Sequence, residues 1–462
     1  MNLLMATFQT QLQLMRDYYN SGVTRPYAFR REQLRRLRSA IYAHENELHH
    51  ALFQDLGKSA EESWVTETGF LVSEMSHSLK HLKSWMRRQK VSTNLLNFPG
   101  KSYIYKEPLG VILIVAPWNY PLQLLLAPAV GAMAAGNVVV LKPSELAPAT
   151  SAIIKKMMDS LFPKEYIWCV EGAGAEVIPP MMEQFRFDHI FYTGSISVGK
   201  KIYEAAARQL VPVTLELGGK SPCVVEADAN IKVAARRIAV TKFSNAGQMC
   251  VAPDYVLVHR SKKEELIAAL KEAIHSFYTS NAFESYNYGR LIGSKQLERL
   301  QHYLTEGEIV VGGKTDKDHR YMEPTILVNV RQDASIMREE IFGPILPVIE
   351  FESIDDAKKI IDLNPDPLAF YVFTSSSHKE QQWLEAVSFG GGCVNNASWH
   401  FTNHNLPFGG RGNSGIGAYH GRYSFDLFSH HKAVMKTPTW FDPAIRYPPF
   451  KGKLGLFKRI IR

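Results

Sequence analysis

Apolar positions recur at intervals of three, four and seven between residues 29 and 52: Phe29, Leu34, Leu37, Ile41, Leu48 and Leu52. That spacing gathers them on one side of a helix and turns most arginines of FRREQLRRLRSA to the other, and residues 25–90 read as helical. From residue 108 to 141 the texture changes, with no charged residue at all. The run is longer than a membrane span needs, but Pro117, Pro121 and Pro128 interrupt it. It reads instead as a strand at 110–115, a loop, a helix over about 122–135 and a strand at 138–141, buried on both faces as in a parallel sheet. The strand, turn, helix alternation continues to about residue 216. A second alternating stretch starts near Lys220, with strand-like runs at 255–258, 324–328, 346–351 and 369–373. No repeat or Pro/Ser linker intervenes, so the expected domain boundary is a tight crossover at Gly218-Gly219.

Length and charge refine this picture. A chain of 462 residues exceeds what one core usually serves, which predicts two or three domains. The net charge of +8 raises nucleic-acid or membrane-surface binding, but the arginine-rich segment is explained as a solvated helix face, and no nucleic-acid partner is expected. In the terminal KGKLGLFKRIIR, Leu454, Phe457 and Ile461 can share a helical side among Lys451, Lys458, Arg459 and Arg462. Weak peripheral membrane contact and a frayed basic tail both remain open there. The opening MNLLMATFQTQLQLMRDYYN lacks a secretory pattern, so a cytoplasmic location is expected. Cysteines stand only at 169, 223, 250 and 393, with no C-x-x-C pair and no histidine at zinc-finger spacing. This fits neither a disulfide framework nor a metal site.

Three of those cysteines sit in apolar runs or a glycine loop, but Cys250 lies in FSNAGQMCVAP, among Gly, Asn, Gln and Pro. In HIFYTGSISVGK an apolar run gives way to Gly194-Ser195, with Gly199 as a helix begins. That suits a phosphate group at a helix N-terminus without matching the G-x-G-x-x-G fingerprint. LKPSE places a lysine and a glutamate at a strand end, and Ser144 reads as the cap of the following helix. Asn119 alone is a turn residue, EEIFGP reads as a helix end and a Gly-Pro turn, and Glu216 in TLELGG is an unusual carboxylate for a β-run.

Seven motifs in order carry a resemblance. PWNYP (117–121), KPSE (142–145), FYTGS with Gly199, LELGGKSP (215–222), GQMC (247–250), EEIFGP (339–344) and LPFGGRGNSG (406–415) resemble the aldehyde dehydrogenase superfamily over about residues 25–440. SFDLFSHHK (424–432) and RYPPF (446–450) point to its class 3 branch. The resemblance implies an α/β fold with a Rossmann-like cofactor domain over 1–217, interrupted by an oligomerisation β-hairpin at 91–107. A catalytic α/β domain would follow at 218–415, then a C-terminal oligomerisation strand and basic tail at 416–462. The excursion and a strand near 430–437 would pair across subunits of a homodimer.

By the same resemblance the activity is NAD- or NADP-dependent oxidation of an aldehyde to a carboxylic acid. Cys250 would be the nucleophile, Glu216 the base that activates water, and Asn119 the oxyanion donor. Lys142 and Glu145 would hold the adenosine ribose, Val198 would pack by the adenine, and Thr193, Gly194 and Ser195 would meet the pyrophosphate. Ala116, Pro117, Trp118 and Leu217 would supply walls, Glu340 would bind the nicotinamide ribose, and Phe342 would press on the ring. Met249 departs from the small residue common before the nucleophile, which bears on substrate choice. No long apolar tail follows RYPPF, so an integral anchor is not expected. The alternatives are a CoA-acylating dehydrogenase, which needs no water-activating base, and a silent binding protein of the same fold.

Overall fold

The computed structural model describes residues 2–461. Its first sheet has six strands, in the order Gly415–Ile416, Val213–Glu216, His189–Thr193, Val111–Val115, Val138–Lys142, Ile167–Cys169. All are parallel except the two-residue Gly415–Ile416, which runs antiparallel to Val213–Glu216. The three central strands are buried along their whole length. Burial on both faces explains why the sequence there is continuously apolar rather than alternating. The helix Gln123–Ala135 is buried on every side and ends in Gly136 at φ 95°, the left-handed turn that feeds the next strand.

The second sheet has seven strands, in the order Glu308–Val311, Thr325–Val328, Ile345–Phe351, Tyr255–His259, Pro222–Val225, Ala369–Phe373, Gly391–Val394. The chain passes from the first sheet to the second between Glu216 and Pro222, across Gly218-Gly219. All four strand-like runs expected from the sequence in this half lie on strands.

The N-terminal periodicity splits at His44 into the helices Tyr27–Ala43 and Glu45–Leu56, with Leu34, Leu37, Ile41, Leu48 and Leu52 all buried. Arg30 is an exception to the solvated arginine face. It is buried, and donates from Nε to Thr24 O (3.0 Å) and from Nη1 to Ala134 O (3.2 Å), satisfying a carbonyl at the end of Gln123–Ala135. The expected cap at Ser144 is also corrected. The helix begins at Pro148, too far on for that side chain, and Asp55 accepts from Ala149 N (3.2 Å) and Thr150 N (2.8 Å) instead.

A third, antiparallel sheet joins Gln89–Val91, Lys101–Pro108 and Ser429–Lys436. The last two strands, expected to meet across subunits, pair with each other inside one chain, in unbroken register from Ser429 opposite Pro108 to Lys436 opposite Lys101. Ser429–Lys436 is left at the sheet edge with seven of its eight residues exposed. The tail forms a short helix, Leu454–Ile460, with Leu454 exposed and the Phe457 ring 5.8 Å from Phe450. Among the described residues no helix is long and apolar enough to cross a membrane.

Candidate active site

The Cys250 loop begins where the helix Ile231–Phe243 stops. Three consecutive residues then take left-handed backbone angles: Asn245 and Ala246 at φ 50° and Gly247 at φ 74°. At Gly247 only glycine fits, since a Cβ there would lie 2.3 Å from Gly343 O. The buried turn is held by its amide side chains. Gln248 Nε2 donates to Asn245 O (3.0 Å) and Arg290 O (2.9 Å), and Gln248 Oε1 accepts from Ile292 N (2.9 Å). This accounts for the Asn and Gln of the motif as supports rather than reactants. Cys250, partly buried, closes the turn and borders two recesses, a cavity of about 240 Å³ and an apolar pocket of about 50 Å³.

The larger cavity brings together Pro117, Trp118, Asn119, Thr193, Gly194, Ser195, Glu216, Leu217, Cys250, Glu340 and Phe342. Glu216 ends a strand, is 3% exposed, and has no hydrogen-bond partner among the described residues for either carboxylate oxygen. Burial therefore pushes its acid well above the ordinary carboxylate range. Burial also raises the Cys250 thiol, and the nearby Glu340 and Glu216 carboxyls add to the shift. Glu340 is pushed up to about 8, chiefly by burial and then by Asp254. A Cβ on Gly218 would fall 1.8 Å from its Oε2, so glycine there leaves room for that carboxylate. Phe342, at φ 48°, stands edge-on to Trp118 with ring centroids 5.3 Å apart. Asn119 lines the cavity, and its Nδ2 gives one of its two N–H groups to Gln248 O (3.0 Å).

Ala116, Lys142, Glu145 and Val198 lie outside this cavity. Ala116 continues the central strand and donates its N–H to Lys142 O (3.1 Å). Lys142 Nζ is 3.1 Å from Glu145 Oε2, while Glu145 Oε1 accepts from Gly174 N (2.9 Å). Burial pushes the Glu145 acid up, but the N–H groups of Gly174 and of its own backbone, with Lys142, bring it below the usual range. Val198 is exposed on the helix Ile196–Ala207, whose first turn no side chain caps. A strand end, an uncapped helix N-terminus beside Gly194-Ser195, and a Lys/Glu pair two strands away fit a dinucleotide: phosphate at the helix end, hydroxyls at the charged pair.

Leu124, Gly218, Gln296 and Arg299 also line the cavity and were not anticipated. Gln296 Nε2 donates to Phe342 O (2.9 Å), and Arg299 donates to Glu340 O (3.2 Å) and to Ile341 O. Both come from the helix Ser294–Tyr303, where a polar pair three apart reads in sequence as a solvated face. The apolar pocket on the other side of the thiol is lined by Thr66, Tyr120, Gln123, Leu124, Met249, Val251, Phe401, Phe408, Tyr419 and His420. Of these, the sequence had singled out Met249.

A cysteine set between an apolar pocket and a cavity that opens at a strand end and a helix N-terminus, beside an unpaired buried carboxyl, fits a pyridine-nucleotide oxidoreductase. The chain belongs to the aldehyde dehydrogenase family, whose model matches residues 15–434. It is similar to 4,4'-diaponeurosporen-aldehyde dehydrogenase of Staphylococcus aureus, 45% identical over 447 residues, covering 96% of this chain and 97% of that one. It is 44% identical over 440 residues to human aldehyde dehydrogenase family 3 member B1, covering 95% and 94%. A solved structure described as the substrate-bound state of Staphylococcus aureus AldH superposes with a TM-score of 0.95 at 44% identity, covering 98% and 99%. The class 3 branch, the fold and the NAD(P)-dependent oxidation of aldehydes follow from these relatives, which favour neither the CoA-acylating nor the silent alternative.

Proposed function

We propose that Cys250, Asn119 and Glu216 divide the reaction among them. The Cys250 sulfur releases its proton to solvent and adds to the aldehyde carbon, and the resulting oxyanion is held by an N–H of the Asn119 amide and the backbone N–H of Cys250. When bound, NAD(P)+ supplies the hydride acceptor. The thioester that remains on Cys250 is cleaved by a water molecule whose proton Glu216 takes, and the carboxylic acid leaves as the thiol is restored. The observation that carries this reading is Glu216, a buried carboxyl with two unpartnered oxygens in the same cavity as the thiol. Burying such a group costs free energy with nothing local in return, which is the signature of a group kept for chemistry.

For the cofactor, Lys142 and Glu145 take the adenosine ribose, Val198 the adenine, and Thr193, Gly194 and Ser195 the pyrophosphate. Glu340 takes the nicotinamide ribose, Phe342 presses on the ring, and Ala116, Pro117, Trp118 and Leu217 form walls. In domain terms, residues 1–217 form the cofactor unit and 218–415 the catalytic unit. The aromatic pocket beside Met249 suits an apolar aldehyde, in keeping with the name of the staphylococcal relative. The open edge of Ser429–Lys436 suits pairing with a second copy in a homodimer, and the exposed Leu454 and Ile461 among lysines and arginines suit weak contact with an anionic membrane surface.

The test is Glu216→Gln mixed with NAD+ and a medium-chain or aromatic aldehyde. One equivalent of NADH should form in a burst, with acyl-enzyme visible as added mass on the intact protein. Steady turnover at the native rate would assign the water-activating role to another group.

A further inference from the structure

Asn119 and Cys250 stand on loops from different sheets, and neither loop is part of a strand ladder. What ties them together is a helical segment that belongs to neither sheet. It runs as α-helix over Ala60–Ser63, passes through a π-helical turn over Trp64–Thr68 in which Gly69 N reaches Trp64 O, and resumes as Gly69–Trp85. At 3.6 residues per turn Glu67 would lie roughly 140° around the helix from Glu62. The wider turn brings the two towards a common face, and such turns concentrate at functional sites.

Each of these glutamates grips one loop. Glu62 Oε1 accepts from Ser244 Oγ (2.8 Å) and Asn245 N (2.7 Å), at the start of the cysteine loop. Glu67 Oε2 accepts from Leu122 N and Gln123 N, both at 3.0 Å, while its Oε1 is 2.6 Å from Lys58 Nζ. Lys58 donates in turn to Asn119 O (3.0 Å) and lies 3.9 Å over the Tyr120 ring. The two loops then interlock. Asn245 Nδ2 donates to that same Asn119 O (2.9 Å) and to Gln248 O (3.2 Å), the carbonyl that also receives Asn119 Nδ2. Lys58 and Glu67 have no exposed side-chain surface at all.

We propose that Lys58 and Glu67 are positioning residues for Asn119, holding residues 119–123 against residues 245–248 so that an N–H of the Asn119 amide keeps its place beside Cys250. The inference rests on the reading of Asn119 as oxyanion donor. A buried ion pair is weak evidence for stability, since well-packed apolar groups often do as well. Apolar groups cannot, however, fix one carbonyl and two consecutive amide N–H groups, and a misplacement of about 1 Å costs on the order of 10²-fold in rate.

The test is a double-mutant cycle on the full-length protein. Lys58→Met with Glu67→Gln is made in the native background and in Asn119→Ala. The measurements are kcat/KM for aldehyde, the rate of Cys250 alkylation by iodoacetamide, which passes through no oxyanion, and the affinity for NAD+. In the native background the paired change should lower kcat/KM by on the order of 10 to 10²-fold, with alkylation and NAD+ binding within about threefold. In Asn119→Ala it should cost less than about threefold, because the residue it acts through is gone. Equal losses in both backgrounds, no loss in the native one, or a matching fall in alkylation would each overturn the proposal. Asn119→Ala alone retaining native kcat/KM would overturn the oxyanion reading, and this inference with it, on a protein whose ion pair is intact. If the paired change does not fold, Glu67→Gln alone, which keeps one acceptor for the amides, runs the same cycle under the same criteria.

Discussion

Two buried carboxyl groups, Glu216 and Glu67, flank the proposed reaction centre in opposite conditions. Both are almost or wholly shielded from solvent. Glu67 meets a lysine and two backbone N–H groups, so each of its oxygens is used. Glu216 meets no hydrogen-bond donor among the described residues. Burial alone therefore does not mark a reacting group; in the cavity beside Cys250, the carboxyl with both oxygens unsatisfied is the one an arriving water or substrate can complete. The satisfied carboxyl is architecture and the unsatisfied one is the candidate for chemistry.

The largest expected effect tests the unsatisfied group. Glu216→Gln should lower steady-state turnover by roughly 10² to 10⁴-fold, the span of general-base catalysis, while leaving the fold at least as stable at neutral pH, since no partner is lost. The pH dependence follows in sign. Because burial raises the folded-state value of Glu216, the native protein keeps a proton that the unfolded chain has already released above the ordinary carboxylate range. Stability should then fall as pH rises from that range toward the raised value, and Glu216→Gln should flatten the fall. Thioester hydrolysis should rise with pH as the same carboxyl ionises. Tm against pH for both proteins, beside single-turnover hydrolysis, checks the two slopes; parallel Tm curves would remove Glu216 as the titrating group.

The satisfied group predicts the reverse pattern. Lys58→Met alone strands a buried carboxylate and should cost about 3–5 kcal/mol of folding stability. Adding Glu67→Gln should restore much of it, because the stranded charge is removed. Urea denaturation of the three proteins measures this, and a double variant no more stable than Lys58→Met would show that the lost hydrogen bonds, not the charge, dominate.

The same contrast sets how much could be read from the chain. Strand and helix runs of the two sheets were legible because burial on both faces leaves long apolar stretches, as at Val111–Val115 and Gln123–Ala135. Eleven of the residues proposed from motifs do converge on one cavity, since short motifs at strand ends are brought together by the parallel topology. Gln296 and Arg299 were not legible: they act through backbone carbonyls of the 340–342 loop, and a polar pair on an amphipathic helix carries no mark of that. Arg30, Asp55 and Glu67 in helical segments, and Lys58 in the link between two helices, were hidden for the same reason, each being a charged residue whose partner lies far along the chain. The pairing of Lys101–Pro108 with Ser429–Lys436 inside one chain was missed because edge strands do not encode whose edge they meet.

The smallest predicted effect lies on the apolar side of the thiol, where no carboxyl lines the pocket. Met249 is 9% exposed and shares that pocket with Tyr120, Phe401, Phe408 and Tyr419, while the cofactor residues line the cavity opposite. Met249→Ala removes three side-chain heavy atoms from a wall that a flexible thioether can otherwise adapt. Pocket contacts of this size discriminate by about 1–3 kcal/mol when the wall is rigid, and the adaptable side chain places the expectation at the lower end, a shift of roughly tenfold. The ratio of kcat/KM for a bulky aromatic aldehyde to that for hexanal should rise by that amount, with the KM for NAD+ unchanged. A ratio within about twofold of native, or a change in the cofactor KM instead, would mean that the aldehyde does not enter past Met249 and that the two sides of Cys250 are not divided between substrate and cofactor.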